Sequence, residues 1–274
     1  MAQHIAVIIG VGGMGQAIAR RLDPASHLLL ADFDAELLES AATRLGGEGY
    51  TLTRQHVDVS DHASVTALAE KAASLGEVRT VVHTAGLSPV QAPVPAILAV
   101  DLLGVALVLE EFGKVVAEGG AGLVISSMAG HAYPAFTPEQ VQALTATPAD
   151  RLLSLPLTAA DSFPHPGAAY SFAKKANQLH VRAASTTWGT RRARVNSISP
   201  GVISTPMGQR ELAGESGAHM RAMIDSSNAR RPGTPADIAA AAEFLLGPAA
   251  GFISGTDLLV DGGVTAAGTL APRG

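Results

Sequence analysis

The chain contains no cysteine. Disulfide bridges, thiolate zinc sites, iron–sulfur clusters and cysteine nucleophiles are therefore excluded. Nine histidines are present, but they form no H-E-x-x-H or similar ligand pair, so we predict no metal site. Aromatic residues make up only 4% of the sequence and charged residues 16%, whereas 47% is hydrophobic, which is typical of an ordinary globular protein.

The sequence also lacks a membrane-spanning run and a strongly basic segment. Its longest apolar stretches, such as residues 105–109, are far too short to cross a bilayer. The formal net charge is −5, and the one dense basic run, residues 191–194, leads straight into an apolar segment. The first residues have neither the basic lead-in nor the cleavage site of a signal peptide. We therefore expect a cytoplasmic protein that binds neither nucleic acid nor membrane.

Short aliphatic runs alternate with Ala- and Leu-rich stretches of helical spacing. The predicted strands are residues 5–9, 28–31, 51–57, 79–84, 122–126, 194–199 and 258–260; the predicted helices are residues 14–22, 35–45, 63–75, 97–117, 167–189 and 236–246. This alternation is typical of βαβ units. Strands that are apolar on both faces indicate helices on both sides of the sheet. We predict one α/β domain over residues 1–274, with a doubly wound, Rossmann-type parallel sheet in three layers.

Residues 131–166 depart from this alternation and hold six of the chain's 16 prolines. Thr137 and Thr147 each precede a proline and have the pattern of a helix cap. We interpret the stretch as a helical insertion that forms a lid over the substrate, packs on a neighbouring subunit or covers its own core. Residues 205–231, with Gly214, Gly217 and three methionines, are expected to form a flexible substrate loop.

A glycine-rich turn follows the first predicted strand and opens a helix. It reads Gly10-Val11-Gly12-Gly13-Met14-Gly15. In such a turn Gly10 allows the tight bend, Gly12 lets the backbone approach a pyrophosphate, and Gly15 lets helix and strand pack closely. Asp32 closes the second strand 22 residues later, where a carboxylate binds ribose hydroxyls. Because it would repel the 2′-phosphate of NADP, and residues 31–36 contain no Arg or Lys, we predict NAD (NADH) as cofactor rather than NADP.

Tyr170 and Lys174 lie four residues apart in a predicted helix and share one face. Lowering the pKa of a phenol by two to three units requires about 3–4 kcal/mol. One ammonium at about 4 Å contributes on the order of 4 kcal/mol at an effective dielectric constant of 20. Together with a positively charged nicotinamide, Lys174 could therefore make Tyr170 a working base near neutral pH.

Five motifs occur in order along nearly the whole chain, apart from the insertion: the glycine turn, Ser126-Ser127, Tyr170-x-x-x-Lys174, Asn196-x-x-x-Pro200-Gly201 and Asp261-Gly262-Gly263. Together they resemble the short-chain dehydrogenase/reductase family. The resemblance implies an NAD(H)-dependent oxidoreductase that transfers hydride between nicotinamide and a secondary alcohol or ketone. In it, Ser127 polarises the substrate oxygen, Tyr170 is the general acid/base, and Lys174 tunes Tyr170 and binds the nicotinamide ribose. The further cofactor-binding residues that it implies are Gly13, Met14, Phe33, Asp58, Val59, Thr84, Ala85, Gly86, Pro200, Gly201, Ile203 and Thr205.

Three features depart from the family pattern. The glycine turn is one residue shorter than usual, with Ile9 where threonine is common. Asp101 stands where the family usually has an asparagine that organises a proton-relay water, so it is a candidate catalytic residue that holds a water or alters the pH profile. Ser127 and Tyr170 are 43 residues apart, so the insertion must leave and return beside the reacting centre.

The sequence also leads to expectations about the substrate class, the oligomeric state and alternative functions. The insertion and the substrate loop are rich in Leu, Met, Phe and Ala, which favours an uncharged, apolar substrate, for example a cyclic or steroid-like one. Family members associate through the helices that hold Asp101 and Tyr170, so we expect a homotetramer or a homodimer. The main alternative is a non-catalytic dinucleotide-binding regulatory or scaffold protein, which Asp101 favours. Enoyl thioester reduction is less favoured, because that branch spaces its tyrosine and lysine more widely.

Overall fold

The computed structural model describes residues 3–214 and 216–270. Its strands are β1 (His4–Ile9), β2 (His27–Asp32), β3 (Leu52–His56), β4 (Glu77–His83), β5 (Val116–Ile125), β6 (Arg194–Pro200) and β7 (Asp257–Val260). They form one sheet in the order β3-β2-β1-β4-β5-β6-β7, and every neighbouring pair is parallel. The strand order reverses between β1 and β4, which makes the sheet doubly wound.

Helices cover both faces of the sheet. They are α1 (Gly13–Ala19), α2 (Ala35–Gly47), α3 (His62–Leu75), α4 (Val94–Ile97), α5 (Gly104–Val115), α6 (Met128–Ala132), α7 (Pro138–Ala146), α8 (Pro166–Gly189), α9 (Pro206–Ala213), α10 (Gly217–Ser226), α11 (Pro235–Leu246) and α12 (Val264–Leu270). Within the described ranges, no helix is both long and apolar enough to cross a membrane.

The burial of β1 residues Ile5 to Ile9 on both faces of the sheet explains the three layers. Successive side chains of a strand point to opposite faces of the sheet. Val7 and Ile9 accordingly pack in a core with α3, α5 and α8, whereas Ala6 and Ile8 pack in a second core with α1, α2 and α11. The apolar run of β1 is therefore buried on both faces, and the predicted α/β fold is confirmed.

One predicted helix was wrong in detail. Residues 97–117 divide into the end of α4, a π-helical segment (Leu98–Leu103), α5 and the first two residues of β5. Apolar spacing does not distinguish an α-helix from a π-helical turn. The β-branched pair Val115 and Val116 suits a strand at least as well as a helix, so no clear end of α5 was predictable there.

The stretch between Ser127 and Tyr170 has its own small core. Thr137 caps α7 with a reciprocal capping box that includes Gln140, as its sequence predicted. Thr147 does not start a second α-helix; it ends α7, and Ala149–Ser154 form a 3-10 helix. Leu144, Leu152 and Phe163 are buried and pack on α4, the π-helical segment and α8, together with Phe172. Ala149 is buried instead in the core that α3, α5 and α8 form with the sheet.

Candidate active site

The carboxyl ends of all seven parallel strands lie along one edge of the sheet. In a doubly wound sheet, a ligand binds at this edge where the strand order reverses. The glycine turn follows β1, Asp32 ends β2, Thr84 follows β4, and Ser127 follows β5. The structure therefore brings the predicted dinucleotide-binding and catalytic residues to one crevice.

The shortened glycine turn keeps the close packing that its glycines allow. Gly10 has a φ of +92°, and a Cβ there would overlap the backbone nitrogen of Ala85. A Cβ on Gly15 would overlap the carbonyl oxygen of Gly10. The hydroxyl of Thr84 donates to that same carbonyl oxygen at 2.6 Å. The turn is therefore packed directly against the start of the loop after β4, as the implied roles of Gly10, Gly15 and Thr84 require.

Gly12 is different, because it faces open space. No atom lies within 4 Å of the position that a Cβ on Gly12 would take, and no side chain caps α1 at this residue. Thr205, in the turn after β6, borders the glycine turn at Gly13. Its methyl group lies 3.3 Å from the position that a Cβ on Gly13 would take. Free backbone N–H groups at a helix start, with room in front of them, fit the pyrophosphate of a dinucleotide.

Asp32 lies between the glycine turn and the end of β2. Its carboxylate accepts hydrogen bonds from the backbone N–H of Val11 at 2.7 Å and of Asp34 at 3.0 Å. Phe33 is exposed and contacts the ring of His56, with centroids 5.5 Å apart. The side chain is held at the place where a ribose is expected, which fits the predicted role.

The other implied cofactor residues border the same crevice or brace it. Asp58 accepts from the backbone and hydroxyl of Ser60, and Val59 packs against Gly104. After β6, Thr205 caps α9, and its N–H donates to Ile203. Gly201 has Asp261 where a side chain would lie. These contacts position the loops that border the crevice.

Ser127 and Tyr170 meet at the end of β5. Ser127 accepts from the N–H of Ala129 at 3.2 Å and caps α6, and its hydroxyl also stabilises the Tyr170 phenolate by hydrogen bonding. Tyr170 lies in the first turns of α8 and is partly exposed. Desolvation nevertheless raises its pKa above the ordinary value; Lys174 and Ser127 lower it, and Asp101 raises it further. In the protein alone, Lys174 thus does not make Tyr170 acidic, because burial and Asp101 outweigh it.

Asp101 and Lys174 form a buried ion pair. The Lys174 Nζ lies 2.9 Å from Asp101 Oδ1, and the residues are 4% and 0% exposed. Nζ also donates to the Ile125 carbonyl at 3.4 Å and lies 5.4 Å from the centre of the Tyr170 ring. Burial is the largest effect and opposes the charge of Lys174, but the Asp101 carboxylate and the Tyr170 oxygen together outweigh it, so the lysine pKa is raised. Burial likewise raises the pKa of Asp101, and the charge of Lys174 offsets this only in part. Asp101 therefore contacts the ammonium directly.

Sequence reasoning missed Glu211. This residue lies in α9, within the stretch that was expected to be an apolar substrate loop, and it is partly buried. Burial raises the pKa of its carboxyl, the nearby hydroxyl of Ser88 opposes that, and the carboxylate in turn raises the pKa of Tyr170. Nothing in the sequence around Glu211 forms a motif, so only the packing of α9 reveals it.

One cluster of possible metal ligands exists among the described residues. The side chains of His62, Glu110 and Glu111 have ligand atoms within 4.8 Å of one another. Lys114 already contacts both carboxylates, at 3.6 Å and 2.7 Å, and His62 contacts Glu111 at 2.8 Å. The cluster is a surface ion-pair network on α3 and α5.

Comparisons with known proteins identify the family. A family model described as short chain dehydrogenase matches residues 4–138, and one described as enoyl-(acyl carrier protein) reductase matches residues 136–265. The chain is 43% identical over 270 residues to the short-chain dehydrogenase/reductase bsc3 of Alternaria brassicicola, covering 97% of each chain. It is 30% identical over 272 residues to the D-threitol dehydrogenase of Mycolicibacterium smegmatis, covering 95% of this chain and 92% of that one.

The fold is shared with solved structures as well. The structure of levodione reductase superposes with a TM-score of 0.77 at 23% identity and covers 97% of this chain and 98% of that one. The chain belongs to the short-chain dehydrogenase/reductase family, a family of oxidoreductases.

Proposed function

We propose that the protein is an NAD(H)-dependent oxidoreductase that transfers hydride between the nicotinamide and the carbinol or carbonyl carbon of a secondary alcohol or ketone. The observation that carries the proposal is the convergence of Ser127, Tyr170 and Lys174 at the sheet edge that also holds the open glycine turn. Each group sits where the proposed chemistry needs it.

The chain's own residues handle the substrate oxygen and its proton. A bound nicotinamide would supply or accept the hydride. Ser127 holds the oxygen and stabilises the charge that develops on it. Tyr170 gives its phenolic proton to that oxygen in reduction and takes it back in oxidation. Lys174 stabilises the phenolate form of Tyr170, as its effect on the phenol pKa indicates.

The preference for NAD over NADP rests on Asp32. Its carboxylate is fixed by two backbone N–H groups at the end of β2. A ribose 2′-hydroxyl can donate to this carboxylate, whereas a 2′-phosphate would meet a like charge with no Arg or Lys in residues 31–36 to neutralise it.

The proposed substrate is an uncharged, largely apolar secondary alcohol or ketone, for example a cyclic one. Part of its original support is lost, because Leu144, Leu152 and Phe163 of the insertion are buried in their own core. Met207 and the other methionines of the 205–231 loop still favour an apolar ligand. Glu211 adds a hydrogen-bond acceptor for a second hydroxyl group on the substrate. The D-threitol in the name of one relative, D-threitol dehydrogenase, carries such a group.

We infer a homotetramer or a homodimer, because members of the family associate through the helices that correspond to α5 and α8. We also propose a cytoplasmic location. The insertion covers part of α8 within the same chain, which leaves less of that helix for a second subunit. The match of residues 136–265 to an enoyl-(acyl carrier protein) reductase model supports enoyl reduction as a second candidate, whereas the spacing of Tyr170 and Lys174 opposes it.

The first test is cofactor binding. NADH and NADPH are titrated by nicotinamide fluorescence into the wild type, Asp32→Ala and the matched control Asp34→Ala, whose carboxylate lies two residues farther along the chain and caps α2. We expect NADH to bind more tightly, Asp32→Ala to lose about tenfold or more of that affinity, and Asp34→Ala to bind as the wild type does.

Activity is then screened with NAD and secondary alcohols, with Tyr170→Phe as the inactive control. A preference for NADPH would refute the role of Asp32. Absence of binding for both cofactors would refute the oxidoreductase proposal. Tight NADH binding with no turnover of any alcohol, ketone or enoyl thioester would favour the non-catalytic alternative.

A further inference from the structure

Asp101 is a carboxylate with no access to water, next to the proposed proton donor. Taking an ion pair out of water is costly unless its geometry is good and its remaining bonds are satisfied. Here Asp101 Oδ1 lies 2.9 Å from Lys174 Nζ, and Oδ2 accepts from the N–H of Leu87 at 3.1 Å. Gly86 makes the room, because a Cβ there would lie 2.6 Å from Asp101 Oδ1 and 3.3 Å from Nζ.

The surroundings of Tyr170 carry no net positive charge. From its own helix it faces the ammonium of Lys174, from the π-helical segment the carboxylate of Asp101, and from α9 the carboxylate of Glu211. Ser127, at the end of β5, is uncharged. His83, at the end of β4, is buried beside Lys174; burial first and the lysine charge second lower its pKa to about 3, so it is neutral. The single ammonium near the phenol is thus matched by a carboxylate in contact with it.

We propose that Asp101 is a positioning residue that fixes Lys174 and cancels its charge, so that Tyr170 keeps its proton until an oxidised, positively charged nicotinamide binds. This inference rests on the proposed function. In reduction, the hydride of the reduced nicotinamide forms the new C–H bond, the carbonyl π bond breaks, and the phenolic O–H proton passes to the substrate oxygen. The phenolate that remains is reprotonated from solvent. Asp101 takes no part in these bond changes and acts through Lys174.

The direct test needs no turnover. The chain has only three tyrosines, so phenol ionisation can be followed by ultraviolet absorbance between pH 7 and 12, with Tyr170→Phe to assign the Tyr170 step. In the wild type without cofactor, Tyr170 should ionise above pH 10. In Asp101→Asn the step should move down by about one to two pH units, the effect of one charge within ~10 Å at an effective dielectric constant of ~20.

Glu111→Gln is the matched control. It removes another poorly exposed carboxylate that contacts a lysine, Lys114 at 2.7 Å, and it lies ten residues farther along the chain, about 15 Å along a helix. This variant should leave the Tyr170 step where it is. A shift of similar size in Glu111→Gln would show a general loss of structure and would overturn the inference.

The second readout is the pH profile. The alkaline limb of carbonyl reduction should move to lower pH in Asp101→Asn, by about the same one to two pH units, while NADH affinity changes less than about threefold. An unchanged Tyr170 step, or a step that moves up because the unpaired Lys174 loses its proton, would refute charge cancellation. If Asp101→Asn fails to fold, the wild-type titration decides, since ionisation of Tyr170 at or below pH 10 contradicts the proposal. If NADH does not bind the wild type, the proposed function fails instead.

Discussion

The insertion offers the sharpest stability prediction, through Leu144 in α7. This side chain is 1% exposed and packs in the core that contains Phe172, Ala169 and Ala173 of α8. The backbone carbonyl of Leu144 also accepts a hydrogen bond from His180 of α8 at 3.1 Å. Through these contacts the insertion is a fixed part of the protein and braces the helix that carries Tyr170.

Leu144→Ala should then cost about 3 kcal/mol of unfolding free energy, within the ~2–5 kcal/mol found for buried leucines that leave a cavity. For a domain of roughly this size, each kcal/mol lowers the melting temperature by about 2–4 °C, so a drop of about 6–12 °C is expected. The matched control is Leu153→Ala, because Leu153 lies in the same stretch but is 38% exposed. It should change the melting temperature by less than about 3 °C.

The assay is thermal unfolding followed by circular dichroism, repeated by urea titration. If the insertion were instead a lid resting loosely on the crevice, Leu144→Ala would leave the melting temperature unchanged and alter only KM. Equal melting temperatures for Leu144→Ala and Leu153→Ala would therefore refute the reasoning.

Two further predictions follow from burial elsewhere. Gly12→Ala should keep the wild-type melting temperature but weaken NADH binding, because its methyl group enters the open space where the pyrophosphate is expected. Gly15→Ala should lower the melting temperature, because its Cβ would overlap the carbonyl oxygen of Gly10. The opposite pattern in thermal melting and in fluorescence titration would contradict both assignments. Burial lowers the pKa of His83 to about 3 and the pKa of His180 to about 4. Below pH 6.5 the unfolded chain therefore binds protons on these histidines that the native state does not bind. The free energy of unfolding consequently falls as the pH drops from 6.5 towards 4. At pH 5 each histidine accounts for about 2 kcal/mol of that loss. His180→Gln should therefore reduce the difference in urea stability between pH 7 and pH 5 by about this amount, and an undiminished difference would show that His180 is not held neutral.

The fold was predictable because its signals are local. β1 is apolar from Ile5 to Ile9, and both faces of the sheet bury these residues. Gly10, Gly12 and Gly15 lie within one turn, so their spacing alone was enough to predict roles for them. Tyr170 and Lys174 are one helical turn apart, and their shared face follows from helix geometry.

The remainder depends on contacts between distant parts of the chain. Asp101 and Lys174 are 73 residues apart, and their contact exists because a π-helical segment, Gly86 and α8 pack together. Sequence reasoning noticed the aspartate but could not place it against the lysine. Glu211 reaches the site only through the path of α9, and the second expected helix start at Thr147 was wrong because tertiary packing favours a 3-10 turn there.

The two main departures from the family pattern, the insertion and Asp101, meet in one place. Leu98 and Leu102 of the π-helical segment lie on either side of Asp101 in sequence, and both are buried in the same core as Leu144 and Leu152 of the insertion. The insertion therefore helps to keep water from the segment that holds the carboxylate. A dry Asp101 interacts strongly with Lys174, because an effective dielectric constant well below that of water strengthens every charge interaction there. On this view the insertion helps to keep Tyr170 protonated, because it sustains the burial on which charge cancellation by Asp101 depends.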